Sequence, residues 1–244
     1  MQKKKLGIIG GMGARAGMLL LKHVIEKSPA KTDQEFLEIV LHSNSAIPDR
    51  TRAILYNEPS PLPELLRSVE LLNAQQVDLI VSACVTSYYY YEAMQHHSRA
   101  LLLHPVRLVA QHILATYGRH AKVGILATSG TIRTRLFQTA LEQEGIAYVV
   151  LPPTLQEEGF MQSVYMENGL KSAVICQEAK DRFFSCIRYL KEQRADVVIG
   201  GCTEVAIMAD EVAASMPLIN VLEVLAQEIV EQSYQELLVP SLAY

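Results

Sequence analysis

The sequence predicts an α/β protein of two similar lobes, each a mostly parallel sheet covered by helices, with a cleft between them. Three observations carry this. Short apolar runs alternate with longer amphipathic ones, the pattern of βαβ units. The short runs are apolar nearly throughout, as strands are when both faces of a sheet are covered. Two segments recur in order. Lys5-Leu6-Gly7-Ile8-Ile9 matches Lys122-Val123-Gly124-Ile125-Leu126, and Asp78-Leu79-Ile80-Val81 ahead of Cys84 matches Asp196-Val197-Val198-Ile199 ahead of Cys202. Each glycine precedes its cysteine by about 77 or 78 residues, a near-identical period that marks an internal duplication.

The elements follow in order. "KLGIIGG" reads as a strand and "RAGMLLLKHVIEKS" as a helix. "EFLEIVLHS" is a strand, "LPELLRSVELLNAQQ" a helix, "VDLIVSAC" a strand and "YYYYEAMQHHS" a helix. "AKVGILATSG" restarts the pattern, followed by the helix "TRLFQTALEQEG" and the strand "AYVVLPP". "KDRFFSCIRYLKEQR" is a helix, "ADVVIGGC" a strand and "EVLAQEIVEQSYQELL" the closing helix.

Composition narrows the function classes. The chain has 244 residues, 50% hydrophobic and 20% charged, the balance of a globular protein. A net charge of −4 gives no basic footprint for nucleic acid. No apolar run is long enough for a membrane span. The apolar stretch after "MQKKK" is short, glycine-rich and interrupted by Arg15, so it is not expected to be a leader. Four cysteines, Cys84, Cys176, Cys186 and Cys202, lack CxxC spacing, so neither a zinc site nor a disulfide framework is expected, and the default location is cytoplasmic.

The duplication places one cysteine beyond the C-terminal end of a strand in each lobe, where open parallel sheets bind ligands. A lone buried cysteine is ordinarily packing; a matched pair is not readily explained that way. Two lobes facing each other set Cys84 and Cys202 across one cleft. A thiolate on one side and a thiol on the other can remove a proton from a carbon and return one to the opposite face. That inverts a carbon acid without a cofactor or metal, given donors that stabilise the carbanion. Cys176 and Cys186 have no counterparts in the duplication and read as core or surface thiols. In the tyrosine run, Tyr88 and Tyr91 share a helix face, and most of the run is expected to pack or form contacts, with one at most reaching the cleft.

Six motifs in order carry a family resemblance: "GIIGGMG" at 7–13, "SNSAIPDRT" at 43–51, "ACVT" around Cys84, "LATSGT" at 126–131, "YMENGLKSA" at 165–173 and "GGCTE" at 200–204. Over nearly its whole length the chain resembles the cofactor-independent aspartate/glutamate racemases. The resemblance implies two pseudo-symmetric lobes with the active site in the cleft. It implies that the last segment returns to the first lobe, giving 1–115 plus 216–244 and 116–215, and that the protein is a homodimer acting on a small amino acid. It makes Cys84 and Cys202 the acid/base pair. Arg50 and Lys171 match positions that hold the distal carboxylate in aspartate-specific members. An Arg fork suits a carboxylate, although a solvated surface charge is the plainer reading of either residue. Met12, Val85, Thr86, Thr128 and Thr203 fall at substrate-binding positions; for the threonines, helix N-capping is the structural alternative. Glu204 either supports Cys202 or favours a helix start.

The chain departs from the family pattern at several places. Val85 stands where Asn is usual, which removes an amide able to hold the amino-acid head group. Tyr88 replaces a common His; Asn220 and Leu225 stand where many members have Asp and His; Ala14 replaces a usual Pro and Ala173 a usual Gly. Rival readings are a hydantoin racemase-like isomerase, a non-catalytic amino-acid-binding protein on the same scaffold, and dinucleotide binding. For the last, "GMGARA" at 11–16 fits a G-x-G-x-x-A pattern, but the following strand ends in His42 and Ser43 without the required acid.

Overall fold

The computed structural model describes residues 3–234. The first half runs β1 (Leu6–Gly10), α1 (Ala14–Lys27), β2 (Ile39–Ser43), α2 (Arg50–Tyr56), α3 (Leu62–Ala74), β3 (Leu79–Ser82), α4 (Tyr91–His97), β4 (Leu101–Leu102) and α5 (Pro105–Tyr117). The second runs β5 (Lys122–Leu126), α6 (Ser129–Arg133), α7 (Leu136–Gln143), β6 (Ala147–Val150), α8 (Gln162–Tyr165) and α9 (Gln177–Glu192). It continues with β7 (Val197–Gly200), α10 (Thr203–Ile207), α11 (Ala209–Ala213), β8 (Leu218–Asn220) and α12 (Val221–Ser233). The end of the predicted closing helix lies outside the described residues.

The strands form two four-stranded parallel sheets, ordered β2-β1-β3-β4 and β6-β5-β7-β8. The identical order is the duplication in three dimensions. Its repeated aspartates do the same work in each sheet. Asp78 accepts the Lys5 N–H at 2.7 Å and Asp196 the Lys122 N–H at 2.8 Å, which sets the start of each central strand pair. Alternation buries both sheet faces. In the first lobe Ile8 and Val81 meet α1 and α12 residues such as Leu20 and Leu225, while Ile9 and Ile80 meet α3 through Leu65 and Leu72. In the second lobe Ile125 and Ile199 share a core with Val106 and Ile113 of α5, while Leu126 and Val198 pack with Phe183 and Leu190 of α9.

The chain crosses between the lobes twice. After α5 it enters the second sheet; after β8, paired with β7, α12 returns to lie against α1 through Leu222, Ala226 and Ile229. Several elements differ from the sequence reading. The strand expected over "EFLEIVLHS" is confined to Ile39–Ser43, because Asp33–Glu35 closes a 3₁₀ turn first. The tyrosine helix starts as a 3₁₀ turn over Val85–Tyr90, and only α4 is α-helical. Tyr88 and Tyr91 do share a face, their rings stacked at 6.3 Å. Tyr88 is buried with its hydroxyl accepting the Ser82 N–H at 3.0 Å, a packing role. None of the described helices is long and apolar enough to cross a membrane.

Candidate active site

In each sheet the order reverses at the central pair, so the loops after β1 and β3, and after β5 and β7, open side by side. That switch point is where a parallel sheet leaves room for a ligand. Met12 follows β1, Cys84 follows β3, Thr128 follows β5 and Cys202 follows β7. Arg50 opens α2 beyond β2, and Lys171 lies in the segment between α8 and α9. One cavity is lined by all ten sequence-derived candidates: Met12, Arg50, Cys84, Val85, Thr86, Thr128, Lys171, Cys202, Thr203 and Glu204. Thr51 and Tyr165 complete its wall. Grooves of about 570 and 590 Å³ exist elsewhere on the surface, but no cysteine lines either.

The two thiols occupy equivalent positions. Cys84 precedes the 3₁₀ turn Val85–Tyr90 and Cys202 precedes α10, both in extended backbone and both buried. Their electrostatic surroundings differ. Burial pushes the Cys202 thiol well above its ordinary pKa, and the adjacent Glu204 carboxylate adds to the rise. Glu204 is itself buried, at the start of α10. Cys84 instead faces Arg50. Burial of Arg50 works against its charge, but Cys84 and Asp49 outweigh this and hold the guanidinium above its ordinary value. Arg50 is 9% exposed. It donates to the Pro48 carbonyl at 3.0 Å, and its Nε is buried without a hydrogen-bond partner. A buried donor with no acceptor is costly.

The threonines do not cap helices. Thr86, Thr128 and Thr131 form a buried triangle of hydroxyls with edges of 3.0, 2.9 and 3.2 Å, joining the lobes. Thr203 donates to the Ala83 carbonyl at 3.4 Å, a second link across the cleft. The lobes also meet closely at Gly130, where an added Cβ would lie 2.9 Å from Thr51 Oγ1 and 3.0 Å from Thr51 Cα. Val85 packs its side chain into the second-lobe core with Val106 and Phe137.

At the far side of the cavity Asp49 caps α2, accepting the Arg52 N–H at 2.9 Å. It also accepts the Tyr165 hydroxyl at 2.9 Å and pairs with Lys171 at 3.6 Å. Burial pushes the Asp49 carboxyl up, but the Arg52 N–H, Lys171, Arg50 and Tyr165 together hold it below the usual carboxylate range. The Tyr165 phenol is pushed up by loss of water around it and by Asp49. Thr51 and Tyr165 lie within the "SNSAIPDRT" and "YMENGLKSA" motifs, yet no residue type or spacing marks them as wall residues. Cys176 and Cys186 stay outside the cavity; burial in the second-lobe core raises the Cys186 thiol to about 12. Among the described residues no three His, Cys, Asp or Glu side chains converge as a metal-binding group.

Known proteins share this architecture. The aspartate racemase of Picrophilus torridus superposes with a TM-score of 0.79, at 23% identity over 94% of each chain. The glutamate racemase of Francisella tularensis, solved with D-glutamate, superposes at 0.69 with 16% identity, covering 100% of this chain and 86% of that one. At these identities the likeness speaks for the fold. In sequence, the broad specificity amino-acid racemase RacX of Bacillus subtilis (strain 168) is 23% identical over 222 residues, 88% of this chain and 92% of that one. Glutamate racemase of Helicobacter pylori (strain P12) is 25% identical over 221 residues, 85% and 74% of the two chains. Residues 9–229 match the family described as Asp/Glu/Hydantoin racemase, and over that span the chain belongs to this family of racemases.

Proposed function

We propose that this protein inverts the α-carbon of an acidic amino acid, aspartate or glutamate, by a two-cysteine acid/base mechanism that needs no cofactor. One observation carries the reading: two cysteines from equivalent positions of duplicated lobes line one cavity together with Arg50 and Lys171. Arg50 supplies a cation beside Cys84, whereas Cys202 sits beside the Glu204 carboxylate. In this reading the raised Cys202 thiol is the proton donor. Cys84 then takes the α-proton of one enantiomer while Cys202 donates to the opposite face, and the reverse reaction exchanges the roles. Glu204 tunes Cys202 by favouring its protonated form. Thr86, Thr128 and Thr203 supply hydroxyls for the α-carboxylate and amine, with backbone N–H groups beyond the cysteines stabilising the carbanion. Arg50 and Lys171 take the distal carboxylate.

The cavity is about 20 Å³, room for about one water, so in this reading it must widen to admit substrate. The resemblance adds a homodimer and a cytoplasmic setting to this reading, and α12 packing on α1 supports placing Val221–Ser233 with the first lobe. Light scattering of the purified protein tests the dimer.

Val85 favours a second reading, a broader amino-acid racemase or a hydantoin-type isomerase, because an apolar side chain stands where an amide would hold the head group. A racemisation screen over all amino acids and simple hydantoins, followed by chiral chromatography and by α-proton exchange in heavy water, separates the two. Exchange confined to aspartate and glutamate supports the first. Faster turnover of neutral substrates supports the second. Binding without exchange means the protein is not a racemase.

A further inference from the structure

We propose that Tyr165 is a positioning residue for the distal carboxylate of the substrate, holding Lys171 over the cleft opposite Arg50 and so sharpening selection for a dicarboxylate. The proposal rests on the reading above that Arg50 and Lys171 receive that carboxylate.

Tyr165 ends α8, which follows a π-helical turn over Leu155–Met161. It is a second-lobe residue, yet its hydroxyl donates to Asp49 Oδ2 of the first lobe, 116 positions earlier, at 2.9 Å. The Lys171 ammonium lies 3.8 Å from the centroid of the Tyr165 ring and 3.6 Å from the same Asp49 oxygen. Among the described residues Asp49 is the one carboxylate paired with Lys171. The lysine is thus held between a ring face and a carboxylate, and Tyr165 binds both. Asp49 in turn is fixed by the Arg52 N–H at the start of α2, the helix whose first residue is Arg50. One phenol therefore ties the second-lobe cation to the element that carries the first-lobe cation.

The arrangement matters because Lys171 needs help to stay. Its side chain is 31% exposed on a flexible four-carbon stem, and an ammonium in that situation tends to return to water. An aromatic face and a shared carboxylate restrict it. A substrate with a short neutral side chain does not engage the two cations; one with a second carboxylate does. Tyr165 acts through Lys171, so its loss is felt in binding of the dicarboxylate more than in proton transfer at the cysteines.

Two substitutions and a double-mutant cycle test this. Tyr165→Phe keeps the ring under Lys171 and removes the hydroxyl; Tyr165→Leu removes both. The expected result is a loss of about two- to threefold in kcat/KM for aspartate or glutamate with Phe, and a larger loss with Leu that stays within the roughly fivefold of Lys171→Ala, carried by KM rather than kcat. The ratio of acidic to neutral amino-acid turnover falls in the same order. In a Lys171→Ala background, Tyr165→Phe costs little more, because its route of action is already gone. If the losses are additive with Lys171→Ala, or fall equally on acidic and neutral substrates, or lie in kcat alone, Tyr165 is an interlobe packing residue and the proposal is overturned. A parent enzyme that prefers neutral substrates refutes the underlying dicarboxylate reading and this inference with it. A parent that prefers dicarboxylates but gives an additive cycle refutes this inference alone.

Discussion

Arg50 and Lys171 both bring positive charge to the cavity, but their surroundings give them unequal weight, and replacing each with Ala should expose the difference. Arg50 is 9% exposed, with a buried Nε that lacks a partner. A carboxylate binding there meets a desolvated fork and forms charge-assisted bonds worth about 1.5–3 kcal/mol. At about 1.4 kcal/mol per factor of ten, Arg50→Ala should lower kcat/KM for aspartate or glutamate by roughly 10- to 150-fold. Lys171 is 31% exposed and already shares its charge with Asp49 at 3.6 Å. Its net contribution is that of a partly solvated pair, at most about 1 kcal/mol, so Lys171→Ala should cost about fivefold or less. Arg50→Lys should fall between, since it keeps charge and loses the planar fork. The assay is steady-state racemisation of both enantiomers followed by circular dichroism, with denaturant curves to show that each variant is folded. If Lys171→Ala costs as much as Arg50→Ala, or if the Arg50 change is felt less than about threefold, burial is not what ranks these cations.

Four further outcomes follow from the same geometry. Cys84→Ala and Cys202→Ala should each lower racemisation by about 10²–10⁴-fold while the fold persists, whereas Cys176→Ala leaves turnover near the parent value; chiral chromatography decides. Glu204→Gln removes the carboxylate that helps raise the Cys202 thiol, so the alkaline limb of the pH–rate profile should move to lower pH, and an unmoved limb would exclude the contact. Asp49 has its carboxyl held below the usual range, so its pairing stabilises the fold above the unfolded value of about 3.9 and is lost as pH falls through the folded one. The stability advantage of the parent over Asp49→Asn, which keeps the helix cap, should therefore be full at neutral pH and vanish in acid, as measured by urea curves across pH. Gly130→Ala forces a Cβ against the Thr51 backbone and should destabilise by about 1–3 kcal/mol with a raised KM, checked by calorimetry and kinetics.

The sequence by itself determined the architecture and the matched placement of two cysteines. The repeat of "KLGII" as "KVGIL" and of the two Asp-led strands predicted two sheets of one topology, because a duplicated hydrophobic pattern buries the same faces twice. It also placed Cys84 and Cys202 at matched strand ends, since strand length fixes where the chain leaves a sheet. Short elements were not legible: β4 has two residues and β8 three, too few for periodicity, and their pairing with β3 and β7 is what makes them strands. The tertiary structure alone decided how the charges divide. Nothing local says that Arg50 faces Cys84, that Glu204 is buried beside Cys202, or that Tyr165 reaches Asp49. The threonines illustrate the same limit. Thr86 and Thr128 read as caps, yet they bond to each other and to Thr131, because all three are buried where the lobes meet and each hydroxyl has only its neighbours. Sequence spacing acts along one chain segment, whereas desolvation and charge in a cleft depend on what the other lobe brings to it.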